Sequence, residues 1–304
     1  MKKYLACLVA LVILTAGLVI RQWPDQHLHL VMCDIGQGDA ILMWQGFTQV
    51  LIDAGKTDQV VECLTKYLPF WDRNLELVIA THADSDHIGG FVAVGERYDF
   101  SYVLSEPLGK ETEVFTGFSE LVSRKQQQGT TVILPTPDTL LTLANRWTFK
   151  ILSPREQPYL EQPSSQQNAE THLWDAWVEK GKEIESSNNR SIVLLATYHA
   201  MDILLTGDLE EPGEQALISQ GLLADIEVLK IGHHGAKTST TEGFLTALRP
   251  EIALISSGKN NQYGHPAPEV VKKIEEIGAK ILRTDQKGDI HLVSDGSHLW
   301  LQEE

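Results

Sequence analysis

Two imidazoles and two carboxylates crowd one short stretch of this chain: His82, Asp84, Asp86 and His87, within THADSDHIGG at 81–90. A polar turn collects one His or one Asp by chance. Four such groups at alternating and adjacent positions repel and desolvate one another unless a cation neutralises them. The stretch follows residues 75–80 (LELVIA), an apolar run that reads as a buried strand. Nitrogen and oxygen donors gathered at a strand's C-terminal end are how a protein builds a di-metal hydrolytic centre. On an irregular loop His82 and Asp84, two apart, can face one cavity. Asp86 and the adjacent His87 project differently and can serve a second ion.

Other residues offer matching chemistry. Asp208 stands in Thr206-Gly207-Asp208 after the apolar run 203–205. Gly207 lets the backbone turn sharply and expose the carboxylate, although Asp208 also reads as a helix cap. His233 and His234 follow a strand ending at Ile231, and paired His before Gly are seldom packing, so at least one reads as a ligand. Ser239 with Glu242 fits a capping box. A helix N-terminus beside Lys237 is an anion site, expected to hold a substrate phosphate through Lys237 and Ser239. Asp53, in IDAG, is expected to orient a ligand from behind, and Asp34 and Asp39, flanking Gly36-Gln37-Gly38, are read as structural.

The HADSDH segment resembles the HxHxDH signature of the metallo-β-lactamase superfamily, with Asp84 where the second His usually stands. Seven segments in order resemble one branch, the soluble nuclease-like domain of the ComEC DNA-uptake proteins: 33–40 (CDIGQGDA), 51–55 (LIDAG), 81–90, 188–195 (NNRSIVLL), 204–210 (LLTGDLE), 228–239 (VLKIGHHGAKTS) and 263–266 (YGHP). The resemblance implies an αββα four-layer sandwich holding two divalent metal ions, Zn²⁺ or Mn²⁺, the Asp84 exchange favouring a harder ion. It assigns His82 and Asp84 to one metal, Asp86 and His87 to the other, Asp208 to the bridge between them and one of His233 and His234 to the last ligand. His265 then lines the pocket, stabilising charge or donating a proton. One departure stands out. Where the superfamily often has a further His, this chain has Asn188-Asn189-Arg190-Ser191. Asn189 is expected as a pocket amide, with one metal short of protein ligands.

These residues need a scaffold. Residues 28–32 alternate as a strand, 40–44 and 49–52 continue a meander, and 58–67, 88–95 and 112–128 read as helices. Strands are expected at 131–134, 139–143 and 148–152, then a hairpin of 190–198 and 202–206. Helix and strand alternate from 214 to 292. Pattern alone gives mixed α/β. Residues 153–187, rich in Pro and Ser and carrying Trp174 and Trp177, read as an inserted loop. The two tryptophans could stack on a sugar or base, but are expected to anchor the insert.

At 304 residues and 42% hydrophobic, the chain can bury a large core. Its net charge of −16 argues against a bulk nucleic-acid-binding surface. Lys2-Lys3, an apolar run at 4–20 and Arg21 form an anchor or signal segment over 1–21, with the hydrolase domain at 27–304. Two Lys before the run against one Arg after it favour an exported body, anchored to the membrane or secreted. Cys33 and Cys63 could pair in an oxidising compartment, but are read as two small core residues. The expected activity is metal-dependent hydrolysis, with a hydroxide held between metals roughly 3.5–4 Å apart attacking in line. The expected substrate is a phosphodiester, with single-stranded DNA implied by the resemblance. The alternatives are a lactonase or β-lactamase, since fold does not fix function, or a metal-containing binding protein without catalysis.

Overall fold

The computed structural model of the protein describes residues 2–109, 111–144, 147–155, 174, 178 and 187–302. Two twisted sheets pack face to face. The first has eight strands in the order β15-β14-β1-β2-β3-β4-β5-β6, and the second seven in the order β13-β12-β11-β10-β9-β8-β7. The first comprises β1 (Leu28–Met32), β2 (Ile41–Gln45), β3 (Thr48–Ile52), β4 (Asn74–Ala80), β5 (Asp99–Ser105), β6 (Thr131–Ile133), β14 (Ile290–Ser294) and β15 (Leu299–Leu301). The second comprises β7 (Leu140–Leu143), β8 (Trp147–Ser153), β9 (Val193–Tyr198), β10 (Met201–Leu205), β11 (Val228–Lys230), β12 (Ile252–Ile255) and β13 (Lys280–Arg283).

Because strand side chains alternate faces, each sheet serves two cores. Leu30, Met32, Ile41, Val50, Leu77 and Ile79 meet Phe149, Leu194, Ile203 and Leu205 between the sheets. Val31, Leu42, Leu51, Val78 and Ala80 point the other way, beneath helices α2 (Gln59–Tyr67), α4 (Phe91–Gly95) and α5 (Glu113–Gln127). Val193, Leu204 and Leu229 lie beneath α6 (Glu211–Ser219), α7 (Glu242–Leu248) and α8 (Pro268–Glu276). The layers are therefore helix, sheet, sheet, helix, which is the expected sandwich.

Strand direction places the chemistry. β3, β4, β5 and β6 run parallel, as do β10, β11, β12 and β13. The loops after β3, β4, β10, β11 and β12 consequently emerge at one end of the sandwich. Open α/β sheets bind ligands at such C-terminal ends.

Some expectations change. The single helix at 88–95 is two pieces, α3 (Ser85–Ile88) and α4, with Gly89-Gly90 packed against the backbone of Ala54, Lys56 and Thr57 between them. β5 was not foreseen, because exposed Asp99 and half-exposed Ser101 interrupt its apolar pattern. Cys33 and Cys63 are not merely small core residues but a disulfide, with Cα atoms 6.0 Å apart across 30 positions of sequence. The chain leaves β1 and returns along α2, and this brings the two thiols within bonding reach. Most of 153–187, Trp177 included, lies outside the described residues. Trp174 is fully buried beside Phe118 and donates to Ser119 Oγ at 3.0 Å, a core anchor and not a stacking platform.

Helix α1 (Lys2–Arg21) buries none of its residues. Among the described residues it is the one helix long and apolar enough to cross a membrane, with a mean hydropathy of 2.3.

Closing a loop of this length by a disulfide is worth about 2–4 kcal/mol. Cys33→Ser with Cys63→Ser should therefore lower the urea midpoint, and reductant should do the same to the native chain. Equal midpoints with and without reductant would show that the bridge does not form.

Candidate metal centre

The centre is assembled from strand ends. Asp39 lies in the turn joining β1 to β2, Asp53 follows β3, and Thr81 and His82 follow β4. Ser191 precedes β9, Asp208 follows β10, His233 and His234 follow β11, and Ser256 follows β12. Two glycines make the approach possible. Gly38 has φ +115°, and a Cβ there would collide with the carbonyl oxygen of Asp86. Gly207, at φ +52°, turns the chain beside Ser191 and Thr81 so that Asp208 points inward.

One atom organises the site. Asp208 Oδ2 lies 3.2 Å from His87 Nε2, 3.5 Å from His234 Nε2, 3.8 Å from His233 Nε2 and 3.9 Å from His82 Nε2. Each imidazole is held by its other nitrogen. His87 Nδ1 meets Asp53 Oδ2 at 2.7 Å, and His234 Nδ1 meets the Ser256 carbonyl at 3.1 Å and Asp39 Oδ1 at 3.3 Å. His233 Nδ1 meets Glu210 Oε1 at 3.1 Å, and His82 Nδ1 meets Thr81 Oγ1 at 3.1 Å. Asp53 is itself fixed by the backbone N–H and hydroxyl of Thr81.

The inward nitrogens do not satisfy one another. His82 Nε2, His87 Nε2, His234 Nε2 and Asp208 Oδ1 are buried without a hydrogen-bond partner. Buried polar atoms left this way cost free energy, and divalent cations bound among them would take up their lone pairs. The donor atoms group as His82, His87 and Asp208, as Asp86, His87 and His234, and as Asp39, Asp208 and His234, each set within 4.8 Å. His87, Asp208 and His234 are each shared between two of these groups. The residues present fit a divalent metal centre of mixed nitrogen and oxygen ligands.

Electrostatics follow from burial. Burial opposes charge on His234, but Asp208 and Asp39 outweigh it and push the imidazole up to about 9. His87 is raised well above its usual range in the same way by Asp208 and Asp53. His82 goes the other way, down to about 4, because burial and neighbouring His87 outweigh Asp208. Burial would raise Asp39, yet the Lys230 ammonium and His234 bring it down to about 2. Asp208 is held well below the carboxylate range against its burial, by His234 and His87.

Asp86 reaches the centre, its Oδ2 3.5 Å from His234 Nε2. Asp84 stands at the edge, accepting from Ser187 Oγ at 2.7 Å, outside the converging groups. His234 is buried inside the cluster, and His233 lines it with its ring partly exposed. His265 faces both, with ring centroids 5.6 Å from His233 and 6.4 Å from His234.

The anion site is a correction. Lys237 is exposed and pairs with Glu269 at 3.5 Å. Ser239 does not cap α7. Its buried hydroxyl donates to the carbonyls of Gly232 and Ala236, and Thr241 is the cap. The N–H groups of Thr240 and Thr241 are already taken by the Glu214 carboxylate, so the protein supplies its own anion there. Asn189 likewise faces the chain: its Oδ1 accepts from the N–H groups of Glu210 and Gly213, pinning the start of α6. Asp39, read as structural, turns instead into the cluster, because the Gly36–Gly38 turn folds back over Asp86.

Lys230 joins the centre without a role among those read from the sequence. Fully buried at the end of β11, it ion-pairs with Asp39, lies 3.6 Å from Asp208 Oδ1 and donates to the Gly207 carbonyl at 2.7 Å. The available signal was a lysine inside the apolar run IEVLKI. Ser191 was missed too; its Oγ accepts from the Asp208 N–H at 3.0 Å.

Such a sandwich, with a His/Asp cluster at its strand ends, defines a class of metallo-hydrolase folds. A family model, the metallo-beta-lactamase superfamily, matches residues 33–259, and the chain belongs to that superfamily. Its curated relatives include a ComE operon protein and a competence protein. ComE operon protein 3 of Bacillus subtilis (strain 168) is 31% identical over 283 residues, covering 85% of this chain and 32% of the relative. Competence protein ComA of Neisseria gonorrhoeae is 27% identical across 93% of this chain and 37% of its own length. The chain thus spans about a third of the length of the relatives it matches. Two solved structures share the fold. YhfI from Bacillus subtilis has TM-score 0.51 and 12% identity, covering 90% of this chain and 100% of its own. Zn²⁺-bound PqqB from Methylobacterium extorquens has TM-score 0.52 and 10% identity, covering 84% and 97%.

Two measurements probe this geometry. Asp53→Ala should weaken metal affinity roughly 10–100-fold by releasing His87, read by competition with a chromogenic chelator; unchanged affinity would show that Asp53 does not orient a ligand. In chelator, the stabilisation from protonated His234 is complete below its ordinary value of 6.5 and is lost as pH rises through about 9. Urea unfolding of the metal-free chain should therefore show stability falling across that window. A flat profile would contradict the charge pairing of His234 with Asp208 and Asp39.

Proposed function

We propose that this hydrolase is a nuclease-type phosphodiesterase acting outside the cytoplasm on single-stranded DNA or a related exported phosphodiester. The observation that carries the reading is the convergence of His82, His87, His233 and His234 on Asp208 Oδ2, with Asp86 beside them. The metal ligands proposed are His82, Asp86, His87, Asp208 and His234, with His233 and Asp84 at the margin. Divalent metal bound there would acidify a water and stabilise an oxyanion at phosphorus.

The protein's own residues do the rest. Asp53 and Asp39 fix the rings of His87 and His234, so their Nε2 atoms do not rotate away. Ser191 and Lys230 hold Asp208 from the backbone and carboxylate sides. His265 faces the cluster from the solvent side. Burial and the neighbouring His234 and His233 lower its pKa. A neutral ring there can accept a proton from water and hand it to the leaving oxygen.

The names of the curated relatives, competence and recombination proteins, support a nucleic-acid substrate. A net charge of −16 means the substrate is gripped at the cluster and not by a basic surface. The Cys33–Cys63 disulfide and the exposed apolar helix α1 support an exported body. The proposal is hydrolysis and not transport.

The test is cleavage of bis-p-nitrophenyl phosphate and single-stranded DNA by the full chain with Mn²⁺ or Zn²⁺. Both should be cleaved. Asp208→Ala should lose more than the roughly 10–100-fold seen when only a residue behind a ligand is removed. No turnover with either metal would overturn the reading, and cleavage of the small ester without DNA would narrow it to another phosphodiester.

A further inference from the structure

The aromatic residues next to α1 form a patch that the metal centre does not use. Trp23 is 61% exposed, Phe70 55% and Phe47 43%, with Trp71 half-buried beside them. Trp23 packs edge-on against Phe47 with centroids 5.3 Å apart, and Phe70 against Trp71 at 4.9 Å. The segment joining α1 to the body is pinned to the same surface. Gln22 Oε1 accepts from the Phe70 N–H at 3.3 Å, and the Asp25 carbonyl accepts from the Gly46 N–H at 3.0 Å. The end of the apolar helix, the β2–β3 turn and the loop before β4 therefore form one face. Arg21 closes the helix at its edge.

Strand direction sets where that face lies. The β2–β3 turn carries Phe47 at the end of the sheet where Gln45 pairs with Thr48, while Ile41 pairs with Ile52 at the other end, next to Asp39 and Asp53. β4 begins at Asn74, just after Trp71, and ends at Ala80, just before His82. Its residues, at about 3.3 Å each, put roughly 20 Å of sheet between the aromatic face and the metal centre.

We propose that Trp23, Phe47, Phe70 and Trp71 form a collar seated in the lipid headgroup region around the emerging anchor, so that the metal centre opens away from the bilayer. Aromatic rings with apolar bodies favour the membrane–water interface, where Trp is enriched beside spanning helices. Continuity with α1 selects lipid as the occupant. The pinned linker fixes the tilt of the body. The substrate is consequently a polymer or solute approaching from the aqueous side, and not a lipid headgroup in the same membrane. This rests on the membrane anchorage within the functional reading above, and on none of its chemistry.

The full chain, reconstituted in phosphatidylcholine vesicles, tests it. Flotation with the intact chain mass is the first readout. Tryptophan emission should be quenched by phosphatidylcholine brominated near the glycerol end, and Trp23→Phe with Trp71→Phe should remove most of that quenching. In a Cys7→Ser background, a dye at Phe47→Cys should transfer energy strongly to a headgroup-labelled lipid, and a dye at Tyr263→Cys, beside His265, weakly. A chain that fails to float overturns anchor and collar together. A chain that floats, but is unquenched or transfers equally from both positions, overturns the collar alone and gives the patch to a protein partner.

Discussion

A single carboxylate oxygen, Asp208 Oδ2, surrounded by four imidazole nitrogens, is the constraint on which this structure depends. Burying that anion beside Asp39, Asp53 and Asp86 is costly unless positive charge is brought with it. Lys230 supplies part of it, reaching Asp39 and Asp208 at once. Charge on His87 and His234, whose pKa values are raised, supplies more. A divalent cation bound there would take the place of those protons.

The fold follows from that requirement. No single loop presents so many inward groups, so they come from the ends of strands in both sheets. The central strands are largely apolar on both faces and leave the site's polar groups to their ends. The disulfide belongs to this scheme. It ties Cys33, where the Asp39 turn begins, to α2, restraining a segment whose glycines would otherwise leave it loose. The opposite end of the sandwich carries the exposed aromatic residues and the apolar helix.

Much of this was readable in the linear chain. The HADSDH run, the Asp after TG and the paired His announced metal because residues of those types seldom crowd for packing reasons. Most strands of both sheets, β5 and β15 apart, showed through their apolar patterning. What failed had physical causes. Lys237 and Ser239 looked like an anion site because a capping pattern is local, whereas the carboxylate of Glu214 that fills it arrives from another helix. Asp39 looked structural because its neighbours in sequence are a glycine turn. Lys230 hid in an apolar strand, where a buried ammonium is visible only once Asp39 and Asp208 are folded against it. The cysteines read as packing because their separation carries no sign of the path between them.

The sequence by itself determined the donor types, the strand periodicity and the apolar N-terminal helix, since these depend on neighbours along the chain. Tertiary structure alone decided which atoms converge: that His87, Asp208 and His234 are shared, that Asp39 and Lys230 join them, that Asp84 stays at the edge, and that Cys33 meets Cys63. Those outcomes depend on parallel strands bringing their C-terminal ends to one side, a long-range pairing whose energy resides in contacts between residues far apart in the chain.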